Sequence, residues 1–317
     1  MAQPGTLHRY TPRLVAFEHA PPRAASAPEP LNTLLWIGGL GDGLLTVRYP
    51  TAIAASLPPN WRLAEVLLSS SYKGWGTGSL KRDARELGDC VRYFKEEARK
   101  GGKVVLMGHS TGCQDIMEYL VGAGCEGRNA VEGVVLQGGV SDREAWANMQ
   151  RDDEGMRKGL EDVMEMAEKM VKEGKEREVL PREGNVVTET LGAPVTAYRT
   201  HSLLAKGGDD DYFSSDLPDT TLAGTFGRIP ETTPVMFLLG GEDPYVLASV
   251  DKEGLLKRFA DAIRTGGGVV DDKNGGVLQG AHHNLNDDPA EVAQDLVKRV
   301  VGYLKGLESE LDAPSRL

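Results

Sequence analysis

Residues 104 to 120 read VVLMGHSTGCQDIMEYL, and this stretch constrains the fold more than any other. Val104 to Met107 is a short apolar run of the kind that forms a buried strand, while Ile116, Tyr119 and Leu120 recur at helical spacing. Between them, Gly108-His109-Ser110-Thr111-Gly112 sets a serine between two glycines. A strand that passes straight into a helix turns too tightly for side chains at either glycine, and the turn drives the serine outward at the strand's C-terminal end. The same geometry aims the Thr111 amide, at the start of the helix, toward any oxyanion forming beside Ser110. One turn thus supplies a nucleophile and a hydrogen-bond donor.

The rest of the chain fits a sheet built around that unit. Residues 7 to 19 alternate loosely, as one or two opening strands do, and PPRAASAPEP at 21 to 30 reads as a loop. Apolar runs at 34 to 37, 64 to 68, 104 to 107, 134 to 136 and 235 to 240 alternate with helical patterns. The helices are expected at about 44 to 57, 80 to 100, after Ser110, 252 to 265 and 289 to 307, with a further strand at 268 to 279. Ser79 is placed to cap the second of them, and Pro289 suits the first turn of the last. Alternation of this kind implies an α/β fold with a mostly parallel sheet covered on both faces. Residues 141 to 228 break the rhythm with a charge-rich helical stretch at 142 to 178 and a loop GGDDDYFSSD at 207 to 216. They read as a mainly helical lid inserted into a core made of 1–140 and 229–317.

Charge and cysteine content narrow the partners. With 36 basic against 47 acidic residues the net charge is -11, which disfavours nucleic acid and anionic membranes. No basic start with an apolar core opens the sequence, and no stretch reaches the length of a membrane span. A cytoplasmic protein acting on a small molecule is expected, its oligomeric state left open. Cys90, Cys113 and Cys125 lack metal-ligand spacing and read as reduced cysteines.

A serine hydroxyl needs a base to take its proton. His282 and His283 lie in LQGAHHNLNDDP, between the last strand and the last helix, whereas His8, His19 and His201 lie away from strand ends and His109 is Ser110's own neighbour. The usual hydrolase loop runs glycine, small residue, any residue, histidine, a register that puts His283 in the catalytic slot and His282 in the variable one. A metal site made by the pair is disfavoured, because adjacent side chains seldom point at one ion. The base in turn needs a carboxylate. Asp243, in GGEDPYV after the apolar run 235 to 240, occupies a strand end, and Glu242 competes with it. The chain order serine, acid, histidine is that of α/β-hydrolases. A second oxyanion donor is expected from IGGLGDG at 37 to 43, with Leu40 supplying the amide; the segment spells neither a P-loop nor a dinucleotide fingerprint.

These residues resemble the fungal α/β-hydrolases of the DUF1749 type, which include siderophore esterases acting on fusarinine-type compounds. The resemblance runs over nearly the whole chain and is carried by WIGGLGDG at 36 to 43, SSSYKGWGTGSLKRDARE at 69 to 86, LMGHSTGCQDIMEYL at 106 to 120, QGGVSDREA at 137 to 145 and GAHHNL at 280 to 285. It implies a serine esterase, free of metal and organic cofactors, that splits ester bonds of a hydroxamate siderophore and so aids intracellular iron release. Ser110, Asp243 and His283 match the family's triad, and Leu40 with Thr111 its oxyanion hole. Fusarinine-type compounds carry free amino groups, and Asp209, Asp210, Asp211 and Asp216 beside Tyr212 and Phe213 offer an acidic, partly aromatic rim that would attract them, although a solvated acidic loop is the favoured reading of the same residues. Tyr72, Trp75, Asp211, Tyr212 and His282 are the candidates for substrate contact. Acyl transfer to another acceptor, action on another small ester, and a binding protein without turnover remain alternatives.

Overall fold

The computed structural model describes residues 2–21 and 30–309. Eight strands form one sheet: β1 (Gly5–Arg9), β2 (Val15–His19), β3 (Asn32–Ile37), β4 (Trp61–Val66), β5 (Val104–His109), β6 (Gly133–Gln137), β7 (Val235–Gly240) and β8 (Gly276–Leu278). Their spatial order is β1-β2-β4-β3-β5-β6-β7-β8. β1 and β2 pair antiparallel at one edge, and every pairing from β4 to β8 is parallel. The helices are α1 (Tyr49–Ser56), α2 (Leu80–Arg92), α3 (Thr111–Val121), α4 (Asp142–Met149), α5 (Glu154–Lys172), α6 (Val186–Leu191), α7 (Ala197–Leu204), α8 (Asp219–Gly224), α9 (Lys252–Thr265) and α10 (Ala290–Ser309). This is the α/β-hydrolase architecture.

The central strands are buried on both faces, which is why they read as continuous apolar runs. Leu35, Ile37, Val104 and Leu106 point to one side, where they pack with Leu87 of α2, Ile116 of α3 and Phe259 of α9. Leu34, Trp36, Val105 and Met107 point to the other, against Ile53 of α1 and Leu296, Val300 and Leu304 of α10. Ser79 caps α2 by accepting the Arg82 N–H at 3.2 Å. The segment between β6 and β7 carries α4 to α8 and has a cluster of its own, in which Trp146, Leu160, Val163, Val187 and Leu203 pack on Trp75.

Several boundaries differ from the sequence expectation, each for a local reason. The helix expected from about 44 starts at Tyr49, because Leu45 adopts φ 63° and its amide is drawn to Glu65. Past Arg92 the second helix widens into a π-helical turn, Tyr93–Ala98. The helical stretch at 142 to 178 is broken after Met149 and restarted by Asp153, whose carboxylate caps α5. Within 268 to 279 only Gly276–Leu278 is a strand, with Val270 making a single bridge to Val235. His8 and His19 lie on β1 and β2, and His19 is spent in a buried pair with Glu65 at 2.7 Å. Residues 22–29 of the expected Pro/Ala loop lie outside the described residues.

One charged cluster sits under the inserted segment. Arg199 of α7 is fully buried, with its guanidinium 2.5 Å from Asp210. Asp83 of α2, Asp115 of α3 and Asp142 of α4 also feel its charge, so one cation from the insertion faces acids of two core helices. Burial pushes Asp83 up to about 6 and raises Asp115 well above the carboxylate range, in each case against the pull of Arg199.

Candidate active site

The parallel strands end on one side of the sheet, and the loops that follow them bring the chemistry together there. β5 runs from Val104 to His109, and Ser110 follows with φ 53° and ψ -124° before α3 begins at Thr111. That backbone conformation is unfavourable for a residue with a side chain, and strain of this kind persists only where its surroundings hold it. The two glycines make it possible. A Cβ at Gly108 would lie 2.5 Å from the Gly112 carbonyl oxygen, and one at Gly112 only 2.3 Å from that of Ile37. The close approach packs the first turn of α3 onto the end of β3.

His283 follows β8 in the loop before α10. Its Nε2 is 2.8 Å from Ser110 Oγ and its Nδ1 is 2.7 Å from Asp243 Oδ2. Asp243 follows β7 and its side chain is fully buried; its other oxygen accepts the Tyr245 N–H at 3.0 Å. With Asp243 ionised, Nδ1 donates and Nε2 is left as the acceptor facing the serine hydroxyl. Tyr245 covers one edge of the imidazole, its ring centroid 4.7 Å away. Glu242, the competing acid, is exposed.

The loop after β3 lies against this relay. A Cβ on Gly39 would fall 2.6 Å from Ser110 Cβ, so backbone passes directly over the serine. Thr111, as the first residue of α3, has an N–H with no carbonyl one turn behind it. Leu40 adjoins Gly39, and its side chain packs against the apolar cluster of the inserted segment.

A second histidine, His109, sits beneath the first, a position set by partners far from it in the chain. His109 is buried, with its ring centroid 4.9 Å from that of His283. Its Nδ1 is 2.6 Å from Gln137 Oε1, which also accepts the Tyr49 hydroxyl at 2.8 Å. Gln137 Nε2 donates to the His283 carbonyl at 3.1 Å, so this buried network grips the loop that carries the imidazole. Burial first, and the neighbouring His283 second, push His109 down to about 4, keeping it neutral at pH 7. The GHS string showed that a histidine adjoins the serine, but its partners come from β6 and α1.

The five side chains expected to touch substrate scatter. Trp75 is buried beside Leu40 and Thr111, where it helps to line a small cavity of about 20 Å³ with Asp83, Asp115 and Arg199. Tyr72 is half exposed and accepts the Leu44 N–H at 3.1 Å through its hydroxyl, bracing the loop after β3. His282 turns to solvent, with Nδ1 2.6 Å from Asp288. The Asp211 side chain is buried and paired with Arg143 at 3.1 Å, and Tyr212 gives its hydroxyl to Glu118. The segment forms neither an open acidic rim nor a wholly solvated loop: Asp210 is paired with Arg199, Asp216 with Arg143 and Lys206, and Asp209 accepts the Tyr198 hydroxyl, while Phe213 is buried in the core. Arg143, Arg199 and Lys206 thus pair with three of the four carboxylates, Asp210, Asp211 and Asp216. A cavity of about 830 Å³ lies between the start of α2 and residues 176 to 212, and none of Ser110, Asp243 and His283 lines it.

No group of three or more His, Cys, Asp or Glu among the described residues could hold a metal ion. Nor is any helix among them long and apolar enough to cross a membrane.

Comparison with known proteins agrees with this architecture. Residues 1–305 match the family described as "Protein of unknown function (DUF1749)". The chain is 36% identical to a fusarinine C esterase, sidJ, of Aspergillus fumigatus, with 96% of each chain covered. It is 35% identical to an esterase of Emericella nidulans, covering 97% of this chain and 94% of that one. Among solved structures it superposes on the siderophore hydrolase EstB from Aspergillus fumigatus with a TM-score of 0.84 at 36% identity, covering 96% of this chain and 98% of the other.

Proposed function

From the premise that this chain belongs to the DUF1749 family of α/β-hydrolases and is a carboxylic-ester hydrolase acting on a small molecule, we propose that it cleaves ester bonds of a fusarinine-type hydroxamate siderophore. The observation that carries the reading is the unbroken relay from Ser110 Oγ through His283 to a buried Asp243, in a chain this similar to a fusarinine C esterase.

Ser110 attacks the ester carbonyl while His283 Nε2 takes its proton, and Asp243 holds the imidazole in the required tautomer and stabilises the imidazolium. The N–H groups of Leu40 and Thr111 receive the oxyanion, where donors fixed in advance cost no reorganisation. The intermediate collapses, the alcohol leaves with the proton from His283, and Ser110 stays acylated. Water, deprotonated by the same histidine, then releases the acid and restores the hydroxyl. Neutral His109 adds no second cation beneath His283, so the imidazolium forms without like-charge repulsion from below. Residues 141–228 act as the lid, joined to the oxyanion loop through Leu40. Iron is cargo of the substrate: separating the hydroxamate arms weakens the chelate and frees the metal in the cytoplasm.

The test is to incubate the protein and its Ser110→Ala variant with a fusarinine-type cyclic triester, with and without iron, and to follow linear and monomeric products by mass spectrometry. Ring opening by the unmodified protein alone is expected, with at least about 10⁴-fold loss in the variant. Turnover retained in Ser110→Ala refutes the nucleophile. An intact triester alongside Ser110-dependent cleavage of p-nitrophenyl acetate refutes the siderophore and leaves the esterase.

A further inference from the structure

The loop of residues 37 to 43 that approaches Ser110 is held by a side chain that the proposed mechanism does not use. Asp42 closes the loop on itself. Its N–H donates to the Gly39 carbonyl at 3.0 Å, and Gly41 between them has φ 85°, the geometry of a turn whose third residue must be left-handed. The carboxylate reaches back as well, Oδ2 accepting the Gly39 N–H at 2.9 Å and Oδ1 accepting the Thr46 hydroxyl at 2.8 Å. The Asp42 carbonyl accepts the Tyr72 N–H at 2.7 Å, which fixes the loop to the segment after β4.

These bonds divide the loop's donors. The Gly39 amide is taken by Asp42, while that of the next residue, Leu40, has no partner among the described residues. Gly39 is also the residue whose Cα lies against Ser110, since a Cβ there would fall 3.3 Å from Oγ. Asp42 therefore sets the position of the residue immediately before the free amide, next to the attacking atom.

We propose that Asp42 is a positioning residue for the ester hydrolysis, holding Gly39 and Thr46 so that the Leu40 amide stands ready for the oxyanion. The inference rests on the reading of Ser110 as nucleophile and Leu40 as oxyanion donor. Asp42 does not touch the substrate; it acts through the loop. Among the described residues its one ion-pair neighbour is His109, with Nε2 3.8 Å from Oδ2 and so beyond hydrogen-bond reach, which leaves both oxygens to Gly39 and Thr46. An amide oxygen would serve Gly39 as well, and the function needs an acceptor at that place and not a charge.

The experiment measures kcat and KM for p-nitrophenyl acetate in the unmodified protein, Ser110→Ala, Asp42→Ala, Asp42→Asn and Thr46→Val, with a thermal melt of each. Removing the acceptor loosens one oxyanion donor, so Asp42→Ala is expected to lose about 10- to 100-fold in kcat, somewhat less than deletion of a donor outright. KM stays within about twofold, because the donor acts on the transition state. Asp42→Asn is expected to recover to within a few-fold of the unmodified protein. Thr46→Val, which removes only the second anchor, loses about threefold in kcat and serves if Asp42→Ala fails to fold. Unchanged kcat in Asp42→Ala, or in Thr46→Val where the former does not fold, overturns the proposal. So does an Asp42→Asn variant as poor as Asp42→Ala while Thr46→Val stays mild, which would make charge, and not the lost second acceptor, the requirement. A protein inactive before mutation, or a Ser110→Ala variant still active, refutes the esterase reading and takes the role of Asp42 with it.

Discussion

Gly112→Ala is the sharpest small perturbation of the site. The substitution adds one methyl group in the first turn of α3, where helix propensity by itself favours alanine over glycine by about 1 kcal/mol. The structure reverses that sign. The new Cβ would lie 2.3 Å from the Ile37 carbonyl oxygen and 2.9 Å from that of Gly38, both backbone atoms at the end of β3. Ordinary contact needs about 1 Å more, and neither atom can rotate away as the end of a side chain could. Either the start of α3 or the end of β3 must move, and each carries part of the proposed machinery. Overpacking of this kind costs about 1–3 kcal/mol, which for a chain of this size lowers Tm by roughly 1.5–5 °C. Displacing reacting groups by about 1 Å costs on the order of 10²-fold in rate. Gly88→Ala is the control, since a Cβ at that position on α2 meets only Tyr119 Cε2 at 3.8 Å. It is expected to keep full activity and gain roughly 0.5–1 kcal/mol. The assay is kcat for p-nitrophenyl acetate together with the thermal midpoint of each variant. A Gly112→Ala protein with unchanged kcat and an unchanged midpoint refutes the argument that the contact between α3 and β3 sets the site.

Two further outcomes follow from the buried charges and the paired histidines. Asp83 keeps its proton up to about pH 6 in the folded chain and loses it near 3.8 when unfolded. The folded state thus binds more protons between pH 4 and 6, and stability falls as pH rises through that window, by on the order of 2–3 kcal/mol. Asp83→Asn removes that loss, so its stability relative to the unmodified protein in urea titrations should rise by that amount between pH 4 and pH 7; a constant difference contradicts the burial argument. His282→Ala should leave kcat within about twofold, because its ring faces solvent and Asp288 still accepts the backbone N–H of residue 282 at 2.7 Å. A large loss would move the base from His283 to its neighbour.

The fold and the relay were legible in the sequence because their signals are local. Continuous apolar runs mark strands buried on both faces, and the glycines around Ser110 mark a turn that only glycine allows. His283 and Asp243 could be named because each stands at the end of a strand in a fixed chain order, so that parallel topology alone gathers them on one side of the sheet. Strand and helix limits were less legible where a distant partner sets them, as at Leu45, whose amide is drawn off by Glu65.

What only the tertiary structure decided is pairing across the chain. The run at 207 to 216 reads as an acidic surface until Arg199, Arg143 and Lys206 are seen to meet its carboxylates. Tyr212 and Phe213 beside it are buried, since residues adjacent in a loop need not share a surface. His109 reads as a neighbour of the serine, whereas burial and the ring of His283 keep it neutral beneath His283, bonded to Gln137. Asp42 is one acid in a glycine-rich string until its carboxylate is found on Gly39 and Thr46. Sequence determines which groups a segment offers and how its backbone turns; the charge a group carries and the partner it serves depend on what the rest of the chain folds against it.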